Sequence, residues 1–428
     1  MSKMWENWHG HCLFGAGVKM STVKPTGRLV VFGSTLAFTV LFAVWVIFGI
    51  IGVAFKKEFG LTDAQFFTLT SIPILVGSLF RLPVGMLASR FGGRRLMTIL
   101  LVLCAVPMFA LPFVHQWDQL LPLSALVGLA GVSFAIGNSW IVFWVPKERQ
   151  GLALGTFGAG NAGASITKLA APLLIALPAL GIPFLPSGWR LVPVMFGAML
   201  LVAALVVWFS TPKDKVDAQP RKLIDWLRPL AILQVWRYGL YYMVFFGAYV
   251  ALSVTLPKYY VEVYHLDLAT SGFLTALFIF PASLLRPVGG WLSDKFGPRA
   301  ITLAAFIVVI ASSIALAVPS LAIGWFLVLT LTLGVGMGVG KASNFKLVAH
   351  YYPENMGVVG GLVGLLGGLG GWLLQILFGV TATLYVPMPF VLLGFGALTG
   401  AILFAFNMIR IMRREKESVG AEEDQAAA

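Results

Sequence analysis

The sequence predicts an all-α polytopic membrane protein of twelve transmembrane helices in two pseudo-symmetric six-helix bundles. Three observations carry that prediction: how apolar the chain is, how its apolar residues are grouped, and where its basic residues fall. Of 428 residues, 59% are hydrophobic and only 11% charged, a balance that belongs to a bilayer-embedded chain. Apolar runs of about 18 residues or more read as spanning helices. They occur near 31–54, 64–89, 96–114, 120–144, 151–177 and 190–210, and again near 238–257, 268–292, 300–318, 322–352, 357–380 and 387–409.

The net charge of +13 raises the question of a nucleic-acid partner, and its placement answers it. Most Lys and Arg residues lie in the N-terminal tail, the even-numbered connections, the central linker and the C-terminal tail. In the odd-numbered connections only Lys56, Lys57, Arg190 and Lys258 occur. That is the asymmetry of the positive-inside rule, which puts both termini in the cytoplasm and leaves no basic surface for a nucleic acid to explain. Residues 1–27 lack an uninterrupted apolar stretch and a small-residue cleavage site, so they read as a cytoplasmic tail rather than a signal peptide. Cys12 and Cys104 fall in the tail and inside the third run, so no disulfide framework is expected.

Between the sixth and seventh runs, STPKDKVDAQPRKLIDWLRP (210–229) is polar and charged. The expected organisation is a tail at 1–27, a first bundle at 28–210, a linker at 211–235, a second bundle at 236–410 and a tail at 411–428. The bundles are related: SLFRLPVGMLASRFGGRR (78–95) matches SLLRPVGGWLSDKFGPR (283–299), with Arg81 on Arg286. Pro146 matches Pro353, and Gly160-Asn161-Ala162-Gly163 matches Gly368-Leu369-Gly370-Gly371 at nearly the same offset. Such duplication marks transporters whose substrate sits between repeats near the midplane. The loops from Gly85 to Arg95 and from Gly290 to Arg299 resemble the cytoplasmic gating motif of the major facilitator superfamily. Gly85, Arg90, Asp294 and Arg299 are its candidate members here, with Ser89 standing where the second copy has Asp294.

Five basic residues lie inside the apolar runs, Arg81, Lys168, Arg286, Lys341 and Lys346, and no acidic residue joins them. An uncompensated cation in the bilayer costs about 3 kcal/mol or more, so an anion is expected to visit. Arg81 and Arg286 each stand ten residues before the phenylalanine that ends their helix, about 15 Å deep in a core of about 30 Å. At that depth snorkelling is least available, and the repeat brings the pair to one central cavity. A guanidinium offers a planar fork of donors that suits planar oxyanions: nitrate, nitrite, formate and bicarbonate all qualify. Asn161, equally deep in a glycine-rich run, is placed either to bond the anion or to join two helices. An enzyme is excluded by inventory, because no nucleophile, base and orienting group share one depth.

Arg81 in SLFRLP, Arg286 in SLLRPVGGWLSD, VPKERQG at 145–151, GAGNAG at 158–163 and the glycine-rich eleventh run together resemble the nitrate/nitrite porter family of the major facilitator superfamily. The resemblance covers nearly all of the chain after residue 28. It implies nitrate import by alternating access, with the anion clamped by Arg81 and Arg286 and enclosed by aromatics matching Phe48, Phe134, Tyr242, Phe246 and Phe345. The lysines of GASITK and GKASNFK resemble the nitrate/proton symport branch, which makes Lys341, Lys346, Lys168 and His350 the proton-coupling candidates. On this reading an anion and a proton on Lys341 each favour the other's binding. Nitrate/nitrite antiport is the alternative within transport, and a transporter-like anion receptor the alternative outside it. The expected partners are nitrate, nitrite, protons and the lipid of a bacterial inner membrane, with no cofactor or metal and a monomeric carrier.

Overall fold

Apolar runs punctuated by short charged loops leave the backbone one way to satisfy its hydrogen bonds in lipid, within each segment as a helix. A computed structural model describes residues 24–176, 188–214, 224, 227–319, 321–381 and 387–427, and among them there is no strand. The helices, in chain order, are α1 (Pro25–Phe59), α2 (Thr68–Leu79 continued by Arg81–Phe91), α3 (Gly93–Phe113), α4 (Trp117–Trp144), α5 (150–176), α6 (Gly188–Ser210), α7 (Leu233–Tyr264), α8 (Thr270–Phe296), α9 (Pro298–Leu316), α10 (Ile323–Tyr351), α11 (Pro353–Phe378) and α12 (Met388–Ile411). Ten of these are long and apolar enough to cross a membrane, and α2 becomes an eleventh once its two parts, bent by 44°, are joined. The run at 150–176 is continuous and long enough, but its Gly, Asn, Ser and Lys content makes it the least apolar of the set. The expected tail at 1–27 falls largely outside the described residues, Cys12 with it, and so do 215–223, 225 and 226 of the expected linker. Cys104 is buried as a free thiol.

Large apolar side chains on the outer faces, among them Ile99, Phe209, Trp325 and Phe395, are more than half exposed, as lipid-facing positions must be. Inside, α1 packs on α4, α5 and α6, and α3 on α6; after the linker, α7 packs on α8 and α11, and α9 on α10 and α12. The first six helices meet the last six along two seams, α2 with α11 and α5 with α8. At the end of the molecule that carries the linker, each seam is a backbone-to-backbone contact. Gly85 lies against the carbonyl of Gly357, and Gly151 against that of Gly290, so a Cβ at any of them would overlap the opposite chain. The linker end is packed shut.

The two repeated loops fold alike. Gly92 (φ 88°) and Gly297 (φ 87°) take the same left-handed turn, which L side chains resist. The first is capped from outside: Asp214 accepts from the backbone N–H of Arg94 and Arg95 at 3.0 and 3.1 Å, an anion on the positive end of α3.

Candidate functional site

Each deep arginine is the first residue after a break in its helix. α2 stops at Leu79 and resumes at Arg81; α8 stops at Leu284 and resumes at Arg286. Pro83 and Pro287 follow at once, and without an N–H they leave the carbonyls of Leu79 and Ser283 unpaired in the helical ladder, which kinks the chain there. Three more helices depart from α geometry nearby: α4 is a 3₁₀ turn at Leu129–Val132, α5 at Ala159–Ala162, and α7 a π turn at Met243–Gly247. Irregular turns of this kind release carbonyls and re-aim side chains. Gly131 in the first of them receives Arg81 Nε at 3.0 Å.

Arg81 and Arg286 are each 1% exposed. Both guanidinium carbons lie 5.6 Å from the centre of the Phe134 ring, so they stand no more than twice that distance apart, on a shared aromatic floor. Arg81 also lies 5.2 Å from the Trp45 ring and 5.8 Å from Phe246. The cluster closes with Phe134 stacked on Tyr242 at 6.1 Å, Tyr242 on Phe246 at 5.1 Å, and Phe345 edge-on to both Phe134 (4.9 Å) and Tyr242 (4.8 Å). Phe48 lies outside this group, against Phe55 at 6.2 Å. Neither arginine is in an ion pair among the described residues.

The two cations are held differently. Arg81 Nη1 donates to Gly364 O across the α2–α11 seam at 2.6 Å, so two of its donors are committed to backbone. Arg286 lies flat on α5, where a Cβ at Gly158 would run into its guanidinium, and its Nε and Nη1 have no hydrogen-bond partner. Tyr242 stacks between Phe134 and Phe246, both of which Arg81 faces, and its hydroxyl has no hydrogen-bond partner. Asn161 is fully buried with both amide atoms unpartnered.

Lys341 is a third buried cation in the same region. Its Nζ sits 3.5 Å over the Tyr249 ring, within electrostatic range of Arg286, and makes no hydrogen bond. Tyr249 Oη in turn shares a hydrogen bond with Ser283 Oγ at 3.0 Å. Trp45 and Tyr249 were not distinguished at the level of sequence, yet a signal exists. Phe38, Phe42 and Trp45 on α1 repeat at constant offset as Tyr242, Phe246 and Tyr249 on α7. Extending the match of Pro146 with Pro353 along the same helices sets Phe134 against Lys341, so the twofold relation is broken at the floor of the site.

The other candidates lie at the linker end or along α5. Lys346, five residues after Lys341, pairs with Asp294 at 2.7 Å and also donates to Lys147 O. Asp294 accepts from the N–H groups of Gly151 and Leu152 at 2.9 and 2.8 Å, so a carboxylate of α8 caps the N-terminus of α5 across the seam. Arg299 donates to Tyr351 Oη at 2.6 Å, Arg90 is exposed beside Phe91, and His350 is exposed at the end of α10 against Tyr351. Lys168 is exposed near the far end of α5. Asp294→Asn is expected to strand the Lys346 ammonium, a loss of about 3–5 kcal/mol for a broken buried pair, and to lower the thermal midpoint in detergent. Adding Lys346→Gln should recover part of it; no recovery would mean that Asp294 acts through the helix cap alone.

Residues 33–374 match the family model described as Major Facilitator Superfamily. The chain is 45% identical over 377 residues to "Probable nitrate/nitrite antiporter NarK1" of Thermus thermophilus, covering 83% of this chain and 85% of that one. It is 31% identical to the nitrite extrusion protein of Bacillus subtilis, covering 86% and 90%. Among solved structures it is similar to the transporter FucP in its outward conformation (TM-score 0.70, 18% identity, 89% and 99% covered) and to the human organic anion transporter MFSD10 (0.73, 13%, 89% and 100%).

Proposed function

Because the chain belongs to the Major Facilitator Superfamily and, within it, to the nitrate/nitrite porters, we propose that it imports nitrate by proton symport. In this reading the carrier sits in a bacterial inner membrane with both termini in the cytoplasm, and residues 28–210 and 236–410 rock about the anion. The observation that carries it is Arg286: a buried guanidinium with two unpartnered donors, facing Arg81 over one aromatic floor. A planar oxyanion fits between such donors, and charge-assisted bonds in a dry site are strong. Arg81 is preset by Gly131 O and Gly364 O and offers its remaining N–H groups. Phe134, Phe246 and Trp45 keep water out, while Asn161 and the Tyr242 hydroxyl supply neutral donors.

Proton coupling falls to Lys341, a fully buried ammonium that sits over the Tyr249 ring without a hydrogen bond. An anion between the arginines stabilises the charged lysine, and by linkage a protonated lysine stabilises the anion. Asp294 and Lys346 hold the linker end closed, and their release from α5 opens the site to the cytoplasm.

The test is nitrate uptake into proteoliposomes under an inward proton gradient, with and without internal nitrite. Accumulation without nitrite is expected. Lys341→Gln should lower it about tenfold, within the usual range of coupling energies, while leaving nitrate/nitrite exchange running. The printed name of the Thermus relative gives the competing reading its weight: uptake that requires internal nitrite would make this chain an exchanger and leave Lys341 an electrostatic accessory.

A further inference from the structure

On α5, Gly158 carries the Arg286 guanidinium, and Asn161, Ser165 and Lys168 follow it at three- and four-residue steps along one strip. The strips beside it are occupied. Gly160, Gly163 and Thr167 face α1, where Thr167 Oγ1 donates to Ala43 O at 2.8 Å. Ile166, Ala170 and Leu173 face Met195, Phe196 and Met199 of α6. The remaining strip is polar although it runs through the interior: Asn161 and Ser165 are 0% and 2% exposed, and neither side chain has a hydrogen-bond partner. Buried polar groups are ordinarily paired. Lys168, about one turn beyond Ser165, leaves the interior beside the exposed Ile166 and Leu169, and its long stem lets the ammonium reach the water boundary.

Nothing in the fold requires this. At the matching positions of α11 the repeat has Leu369, Leu373 and Ile376, so the second bundle builds the same helix with an apolar strip. α8 packs beside the 159–162 turn, which places the strip at the seam between the halves.

We infer that Lys168, Ser165 and Asn161 form an access path for small inorganic anions, leading from the end opposite the linker down to Arg286, with Lys168 as the capture site. The path rests on Arg286 as the anion's destination. Lys168 raises the local anion concentration at the mouth. Ser165 and Asn161 then replace hydrating water one donor at a time, and Arg286 offers stronger charge-assisted bonds at the bottom. Lys168 on this assignment works by charge and needs no change of protonation.

The experiment does not depend on nitrate transport. Ser165→Cys, in full-length protein with Cys12 and Cys104 replaced by Ser, is labelled in sealed vesicles from the side opposite the linker. The probes are impermeant methanethiosulfonates carrying either a sulfonate or a trimethylammonium group. The sulfonate form is expected to react about tenfold faster than the ammonium form, relative to a free thiol, as electrostatic steering predicts. Lys168→Gln should erase that preference and Lys168→Arg keep it. A second measurement covers poor folding of the cysteine variant: Lys168→Gln alone should raise the KM for nitrate several-fold at low ionic strength with kcat unchanged, and the difference should vanish in high salt. Failure of Ser165→Cys to label from that side, or a charge preference indifferent to Lys168→Gln, would overturn the path. A protein that labels as expected but carries no nitrate would keep the path and sink the nitrate reading instead.

Discussion

Arg286→Lys is expected to lower nitrate affinity by about 30- to 150-fold, even though the charge is kept. The lysine ammonium is a point donor on a flexible stem, whereas the guanidinium lies flat on Gly158 and keeps Nε and Nη1, on two of its edges, without partners. Losing one of two charge-assisted bonds in a buried site removes about 2–3 kcal/mol, which converts to that range at about 1.4 kcal/mol per factor of ten. Arg81→Lys should cost more than affinity, because Arg81 also ties the α2–α11 seam through Gly364 O. Nitrate binding to purified protein, measured calorimetrically, separates the two. Equal, small losses at both positions would remove the arginine pair from the site.

Gly290→Val is expected to cut transport below about one-tenth while leaving nitrate binding measurable. The carbonyl of Gly151 occupies the space a Cβ at residue 290 would need, so the linker end cannot close around a valine. Overpacking a tight contact costs about 1–3 kcal/mol, and here the strain falls on the closed arrangement only. The same energy therefore shifts the open-to-closed balance by about 5- to 150-fold. The check is a cysteine at Ser89, beside the companion contact of Gly85 with Gly357: its labelling from the linker side should accelerate in Gly290→Val. An unchanged labelling rate with lost transport would point to misfolding rather than to a jammed gate.

Much of this was legible in the sequence because bilayers impose simple rules. Length and apolarity gave the spans, ten of them plainly, and the matched places of Arg81 and Arg286 in the repeat pointed to one interior location, where both are buried over Phe134. α5, read at 151–177 and found at 150–176, is the run whose Gly, Asn and Lys dilute its apolarity. Three details were less legible. Trp45 and Tyr249 are two aromatics among many, and only their repeat spacing sets them apart. Lys341 and Lys346 differ in depth by their distance from Pro353, but their partners do not follow from that: five residues of helix turn one over Tyr249 and the other toward Asp294. Which arginine keeps its donors unpartnered depends on Gly131 O and Gly364 O, brought near by a 3₁₀ turn and by the opposite bundle, and no local pattern encodes that.

The replacement of Phe134 by Lys341 across the repeat reaches beyond the site itself. Two identical halves, related by an axis along the membrane normal, would offer an anion lying on that axis the same groups from either side. With an aromatic ring on one side of the axis and an ammonium on the other, that equivalence is gone. The third buried cation beside the arginine pair therefore comes from one bundle alone, and the field across the axis is lopsided.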